Sequence, residues 1–285
     1  TSSPSESDRL HLNVPMAPGD AEILVLLQVM YTDLDFISTF NIELDVLQQF
    51  LYEVYKRYNN IPFHNFKHCF CVTQMMYGLI WLTDLRSKTD DMDLLIMLTS
   101  AVCHDLDHRG YNSAYQINGR TELALRYNDI SPLENHHCAV AFEILEKVAH
   151  STNTTGQSFD YVVLRCILAT DMSRHTEILN KFKTILPMFD FSAKYHRDVV
   201  RADSFATTQK RETESGVTSD MEKLGLPVTP FMDRHKVTKP SSQTAFICFV
   251  LFPRFIELTN LFPCLEVRMS MGTIKRQGHL GCAWK

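Results

Sequence analysis

Histidines and carboxylates gather at four places in this sequence. His64 and His68 stand four apart in His64-Asn65-Phe66-Lys67-His68. Next come His104-Asp105-Leu106-Asp107-His108, then Glu134-Asn135-His136-His137, and last Thr170-Asp171. Neutral imidazole suits zinc, and carboxylate oxygen suits magnesium or manganese. A cluster holding both can bind two unlike ions, and an Asp directly after a His can ligate one and bridge to the other. Two ions sharing a water lower its pKa and give hydroxide near neutral pH. Such a hydroxide can attack phosphorus in line with a leaving oxygen, which a metal-free histidine can protonate. No single pair carries this. One His-x-x-x-His is weak evidence for metal, and His136-His137 alone reads as a helix-surface pair. Three of the clusters, however, sit beside apolar helical runs. Unpaired His and Asp are costly to bury there, and metal coordination removes the cost.

These side chains need elements to hold them. Leu24, Leu27, Tyr31, Leu44, Leu47, Phe50, Leu51 and Tyr55 recur at helical spacing, and Asn59-Asn60-Ile61-Pro62 ends that pattern. Further helices are predicted from about His64 to Leu82, which would set both histidine rings on one face, and from Asp91 to Cys103. Ser131-Pro132 starts another, with Pro in the first turn and Glu134 completing a capping box, and it continues through Leu145. Tyr161 to Thr170 and Glu177 to Leu186 read as two more. Arg201 to Asp220 is polar and lacks apolar periodicity, which returns from Gln243 to Leu261. Residues 1–20 read as a flexible lead-in, 21–266 as one all-α multi-helix domain disturbed in its C-terminal third, and 267–285 as an irregular basic tail.

Composition agrees with that class. The 285 residues are 45% apolar with only 10 Gly and 11 Pro, which favours helices over sheet. A formal net charge of -5 argues against a general attraction to nucleic acid. The longest apolar runs, Ala21 to Met30 and Ala245 to Phe252, are too short to span a bilayer. The start lacks the apolar core of a signal peptide and an initiator Met, so the chain reads as a fragment or a processed form. Eight scattered cysteines without C-x-x-C spacing read as reduced thiols of a cytoplasmic protein.

The wording around the clusters is specific. Asn60-Ile61-Pro62-Phe63-His64-Asn65-Phe66-Lys67-His68 resembles the first signature of the class I cyclic-nucleotide phosphodiesterases, and His104-Asp105-Leu106-Asp107-His108 resembles their second. Ser131-Pro132-Leu133-Glu134-Asn135-His136-His137 and Ala169-Thr170-Asp171-Met172-Ser173 match two more. Tyr115-Gln116-Ile117-Asn118 and Arg126-Tyr127-Asn128-Asp129 are most similar to the cGMP-preferring ninth class. The resemblance implies the compact all-helical HD-domain-like catalytic fold and two divalent ions, Zn2+ with Mg2+ or Mn2+. It implies His64 as the general acid and His68, His104 and Asp105 as metal ligands, with Asp105 bridging. His108, Glu134 and Thr170 would orient waters on the second ion, and His137 and Asp171 would support the ligands. Gln243 would bond the edge of a cyclic purine nucleotide and Phe246 would stack on its base. From the residues alone, those two read as a polar helix edge and a core aromatic.

The pattern breaks after His196. The family continues with a helix carrying an Asp that ligates both metals, then a Trp-containing helix lining the pocket. Asp198 to Asp220 resembles neither, so an internal segment reads as missing near 198–220. Asp203-Ser204 is the nearest stand-in, with flanks unlike the lost helix. Ser113 and Arg109 are smaller departures, and the tail after Glu266 does not resemble the family's closing helices. Three ligands can still hold zinc with an open position. The second ion should bind weakly, and activity should fall. The competing expectation is a catalytically silent form that acts by binding or as a dimer.

Overall fold

The computed structural model describes residues 19–149, 157–208, 225, 244 and 247–265. Among the described residues there are helices and turns but no strands, so the all-α expectation holds. Among the described residues, nine helices of ten residues or more carry the architecture. They are α1 (Asp20–Asp33), α2 (Leu44–Arg57), α3 (Phe66–Leu82), α4 (Asp91–Cys103), α5 (Pro132–Ala149), α6 (Gln157–Leu168), α7 (His175–Ile185), α8 (Lys194–Thr208) and α9 (Phe252–Leu261). Short turns at Ser113–Asn118 and Glu122–Arg126 bridge α4 to α5, and a π-helical turn at Ile247–Leu251 leads into α9.

Helix α4 is the axis. Every residue from Asp93 to Cys103 is buried, as a helix apolar on all sides must be. Asp90 caps its start by accepting from Asp93 N at 2.9 Å. Helices α3, α6, α5 and α8 pack around it. Tyr31 of α1 reaches Thr99 of α4 through a buried 3.1 Å hydrogen bond. Because α4 is enclosed, its C-terminal end delivers His104 into the interior.

Two helix starts differ from the sequence expectation. Helix α3 begins at Phe66, because the Asn65 side chain accepts from Lys67 N and His68 N and so caps it. His64 lies just outside the helix rather than on its face. At α5 the capping box does not account for Ser131, whose hydroxyl is spent on the Asp171 carboxylate.

The larger correction is α8, which runs through Thr208 where the pattern suggested a polar break at Arg201. Val199, Val200, Arg201, Asp203 and Ser204 are all buried. Arg201 pairs with Asp93 and Asp198, and Asp203 pairs with Arg254 of α9. Residues 1–18 of the lead-in, the basic tail, most of the segment after Thr208 and both Gln243 and Phe246 lie outside the described residues, while Asp20, read as part of the lead-in, is the buried first residue of α1. The described cysteines are all free, with Cys69, Cys103, Cys138 and Cys166 buried. No helix among the described residues is long and apolar enough to cross a membrane.

Candidate metal centre

Helix ends build the site. The first turn of α3 brings His68, the C-terminal end of α4 brings His104 and Asp105, the first turns of α5 bring Glu134 and His137, and the turn after α6 brings Thr170 and Asp171. His68, His104, Asp105, His108, His137, Thr170 and Asp171 are buried.

Three ligand atoms converge. His104 Nε2 is 3.0 Å from Asp105 Oδ2 and 3.3 Å from His68 Nε2, and His68 Nε2 is 3.2 Å from the same oxygen. Donors around one tetrahedral ion at 2.0–2.1 Å stand about 3.3 Å apart, so this triangle has the size a single ion requires. His104 Nδ1 bonds Ala101 O at 2.8 Å, which leaves Nε2 for a ligand. Asp105 Oδ2 is buried without a hydrogen-bond partner. An orphaned carboxylate oxygen facing two imidazole nitrogens is costly unless a cation sits among them.

The electrostatics keep these groups ready to bind. Burial pushes the His68 imidazolium below its ordinary pKa, against the pull of Asp105, so His68 stays neutral. Burial opposes ionisation of Asp105, but His104 and His64 outweigh it and hold the carboxyl well below its usual range. Burial pushes His137 down to about 3. Neutral imidazole and ionised carboxylate are the forms that ligate.

The other expected residues surround this triangle. His64, His68 and Asp105 offer ligand atoms within 4.8 Å of one another, so His64 stands close to the triangle. The His64 ring stacks on His108 with centroids 4.0 Å apart, and its centroid lies 5.3 Å from that of His68. His108 Nδ1 accepts from Gly110 N at 3.0 Å. His137 Nδ1 donates to Leu106 O at 2.6 Å, leaving Nε2 at 3.7 Å from Asp105 Oδ1. Glu134 Oε2 is buried without a partner, and burial, with Asp171 adding to it, pushes this carboxyl up to about 8. Ser113, a departure from the family signature, bonds the Glu134 side chain. Thr170 Oγ1 donates back to Ile167 O at 2.7 Å, and Asp171 caps the turn at Met172–Arg174 by accepting from Ser173 N at 2.8 Å.

Four residues near the site escaped the sequence reading. Tyr58 and Asn59 follow α2, and both bond the loop that carries His104 and His108. Asp107 and His136 bond each other at 2.9 Å, so His136 faces the loop rather than the helix surface. The position of Asp107 inside the His-Asp-x-Asp-His run was the one available signal. Asp203 pairs with Arg254, which also bonds His175.

The family profile described as 3'5'-cyclic nucleotide phosphodiesterase matches residues 63–214 and 204–271. High affinity cGMP-specific 3',5'-cyclic phosphodiesterase 9A of Homo sapiens is 47% identical over 86% of this chain and 45% of its own length. The protein of that name from Drosophila melanogaster is 47% identical over 91% of this chain but only 19% of its own length. The chain therefore spans from about a fifth to about half of these curated relatives. The crystal structure of the phosphodiesterase domain of a RhoPDE fusion protein from the choanoflagellate Salpingoeca rosetta superposes with a TM-score of 0.79 at 29% identity, covering 92% of this chain and 91% of that one.

Proposed function

From the premise that the chain belongs to the 3'5'-cyclic nucleotide phosphodiesterase family, we propose that it hydrolyses the 3',5'-cyclic phosphate of a purine nucleotide to the 5'-monophosphate, with cyclic GMP as its first substrate. The observation that carries this reading is the triangle of His68 Nε2, His104 Nε2 and Asp105 Oδ2, whose carboxylate corner is buried without a hydrogen-bond partner. Those three residues would hold a zinc ion, and Asp105 would also serve a second ion, Mg2+ or Mn2+. Glu134, with its unpartnered buried oxygen, would order water beside that ion, as would His108 and Thr170. Divalent ions, when bound, supply a water acidic enough to be hydroxide near neutral pH.

The chain's own groups do the rest. His64, stacked on His108 and outside the ligand triangle, delivers the proton to the departing O3′. His137 and Asp171 fix the neighbouring groups, His137 by spending its Nδ1 hydrogen on Leu106 O and Asp171 by gripping Ser131 and Ser173. Gln243 and Phe246 bind the purine. The catalytic domain is 21–266, and the free thiols suit a reducing cytoplasm.

The reading includes impaired turnover. The family match comes in two stretches that meet at 204–214, which supports a missing internal segment there. Asp203, the nearest stand-in ligand, is committed to Arg254. The second ion would therefore lack one of its two charged ligands. A silent form that acts by binding or dimerisation is the alternative favoured by the same observation. Purified chain assayed with cyclic GMP and cyclic AMP in saturating Mn2+ separates the readings. The expected result is measurable cyclic GMP hydrolysis, slower than a relative with the full ligand set by roughly tenfold or more. No hydrolysis of either nucleotide would leave the silent form, and turnover equal to the relative's would remove the impairment.

A further inference from the structure

The loop from His104 to His108 is gripped from two sides by groups outside the ligand triangle. On one side stands the end of α2. Tyr58 Oη donates to Val102 O at 3.0 Å and accepts from Asp105 N at 3.4 Å. Arg57 O accepts from Asp107 N at 2.8 Å. The Asn59 amide nitrogen donates to Asp107 Oδ1 and to His108 O, each at 2.9 Å. On the other side stands α5, where His137 bonds Leu106 O and the neighbouring His136 Nε2 lies 2.9 Å from Asp107 Oδ2.

The two grips meet on Asp107. One carboxylate oxygen goes to Asn59 and the other to His136, so both are engaged by α2 and α5. Arg109 stands 3.6 Å from the second oxygen and adds charge from the exposed side. The backbone of Asp107 has φ 54°, in the left-handed region that L residues other than Asn and Asp rarely enter. A residue kept in that conformation needs its surroundings to enforce it. Here the backbone bond to Arg57 and the two side-chain bonds do so. This turn separates Asp105 from His108, so its angle decides whether one flank of the loop reaches the triangle while the other reaches the His64 ring.

We propose that Asp107, clamped between Asn59 and His136, is the positioning residue of the metal loop, holding the left-handed turn that presents Asp105 to the ion and His108 to His64. The proposal deepens the hydrolase reading and rests on the metal centre that reading assumes. Asp107 touches neither ion nor nucleotide, and acts through the shape of the loop. Groups of this kind typically change metal affinity by about 10–100-fold when removed.

The test is a Co2+ titration of the purified full chain, following visible absorption, with the melting of chelator-treated protein as the control for folding. Asp107→Ala and His136→Ala should each weaken Co2+ binding by about 10–100-fold and shift the absorption band. His136→Gln, whose amide can still donate to Asp107, should restore both. A purely structural role would lower the melting temperature and leave the band in place. Asp107→Ala with parental affinity and spectrum would overturn the proposal, as would a His136→Gln variant as weak as His136→Ala. Should Asp107→Ala fail to fold, the two His136 variants decide the question by themselves. A parent chain that takes up no Co2+ would overturn the metal centre and the clamp together, whereas parity of Asp107→Ala overturns the clamp alone.

Discussion

Replacing Arg254 with Met should be among the most damaging single changes outside the site. Arg254 and Asp203 are both fully buried, and they join α9 to α8. The guanidinium also donates to His175 Nδ1 at 2.9 Å and to His175 O at 3.0 Å. Burial already pushes the Asp203 carboxyl up to about 6 even with Arg254 beside it. Arg254→Met therefore removes the cation that pairs with this buried carboxylate, which costs about 3–5 kcal/mol. At roughly 2–4 °C per kcal/mol for a domain of this size, melting should fall by about 6–20 °C. The loss should shrink as pH falls. A carboxyl whose folded pKa is raised binds a proton more readily folded than unfolded, so acid relieves the cost. Melting followed by circular dichroism at pH 7.5 and 5.5, for Arg254→Met and for Asp203→Leu/Arg254→Met, tests this. The double variant removes both charges and should recover most of the stability. An Arg254→Met chain melting within about 2 °C of the parent would show that this buried pair does not hold α9 to α8, as would a double variant no better than the single.

Other outcomes follow from the same structure. Glu53 bonds Lys147 and Lys56 at 2.8 and 2.7 Å, and these outweigh burial to hold its carboxyl below the ordinary range. A depressed carboxyl stabilises the fold above its unfolded pKa and loses that contribution as pH falls through its folded pKa. The stability gap between parent and Glu53→Gln should thus be widest near neutrality and close toward pH 3, and a gap independent of pH contradicts it. Tyr31→Phe removes the buried bond to Thr99 and should cost about 1 kcal/mol by urea unfolding. His64→Asn should lower kcat for cyclic GMP by about 10²–10⁴-fold while Co2+ affinity stays at the parent value. A parallel loss of metal would place His64 among the ligands instead.

Legibility from the sequence followed the type of interaction. Helix α4 could be read because its run from Leu94 to Val102, buried on all sides, is apolar but for Thr99 and Ser100. The four His and Asp clusters could be singled out because metal chemistry would demand those residue types, and the fold brings His64, His68, His104, His108 and His137 into one connected group of rings. Helix α8 was hidden. Its buried face continues past Val200 with Arg201, Asp203 and Ser204, which periodicity counts as solvent-facing. Arg201 is buried by pairing with Asp93, 108 residues away, and Asp203 by pairing with Arg254, 51 residues away. Partners at such separations leave no local signature. The start of α3 was misplaced for a smaller reason. Asn65 is a strong capping residue between two histidines whose spacing suggested an uninterrupted helix. His136 was assigned to a surface because its partner Asp107 is supplied by a left-handed turn that spacing cannot reveal.

The metal centre stands or falls on whether His68, His104 and Asp105 share one ion. X-ray absorption at the zinc edge on zinc-loaded chain, beside Asp105→Ala and His104→Ala, measures this directly. The predicted spectrum has two imidazole nitrogens and one carboxylate oxygen at about 2.0–2.1 Å, with water completing the shell, and each variant loses tight zinc. A chain that retains no zinc, or a shell unchanged when His104 is replaced, would contradict it.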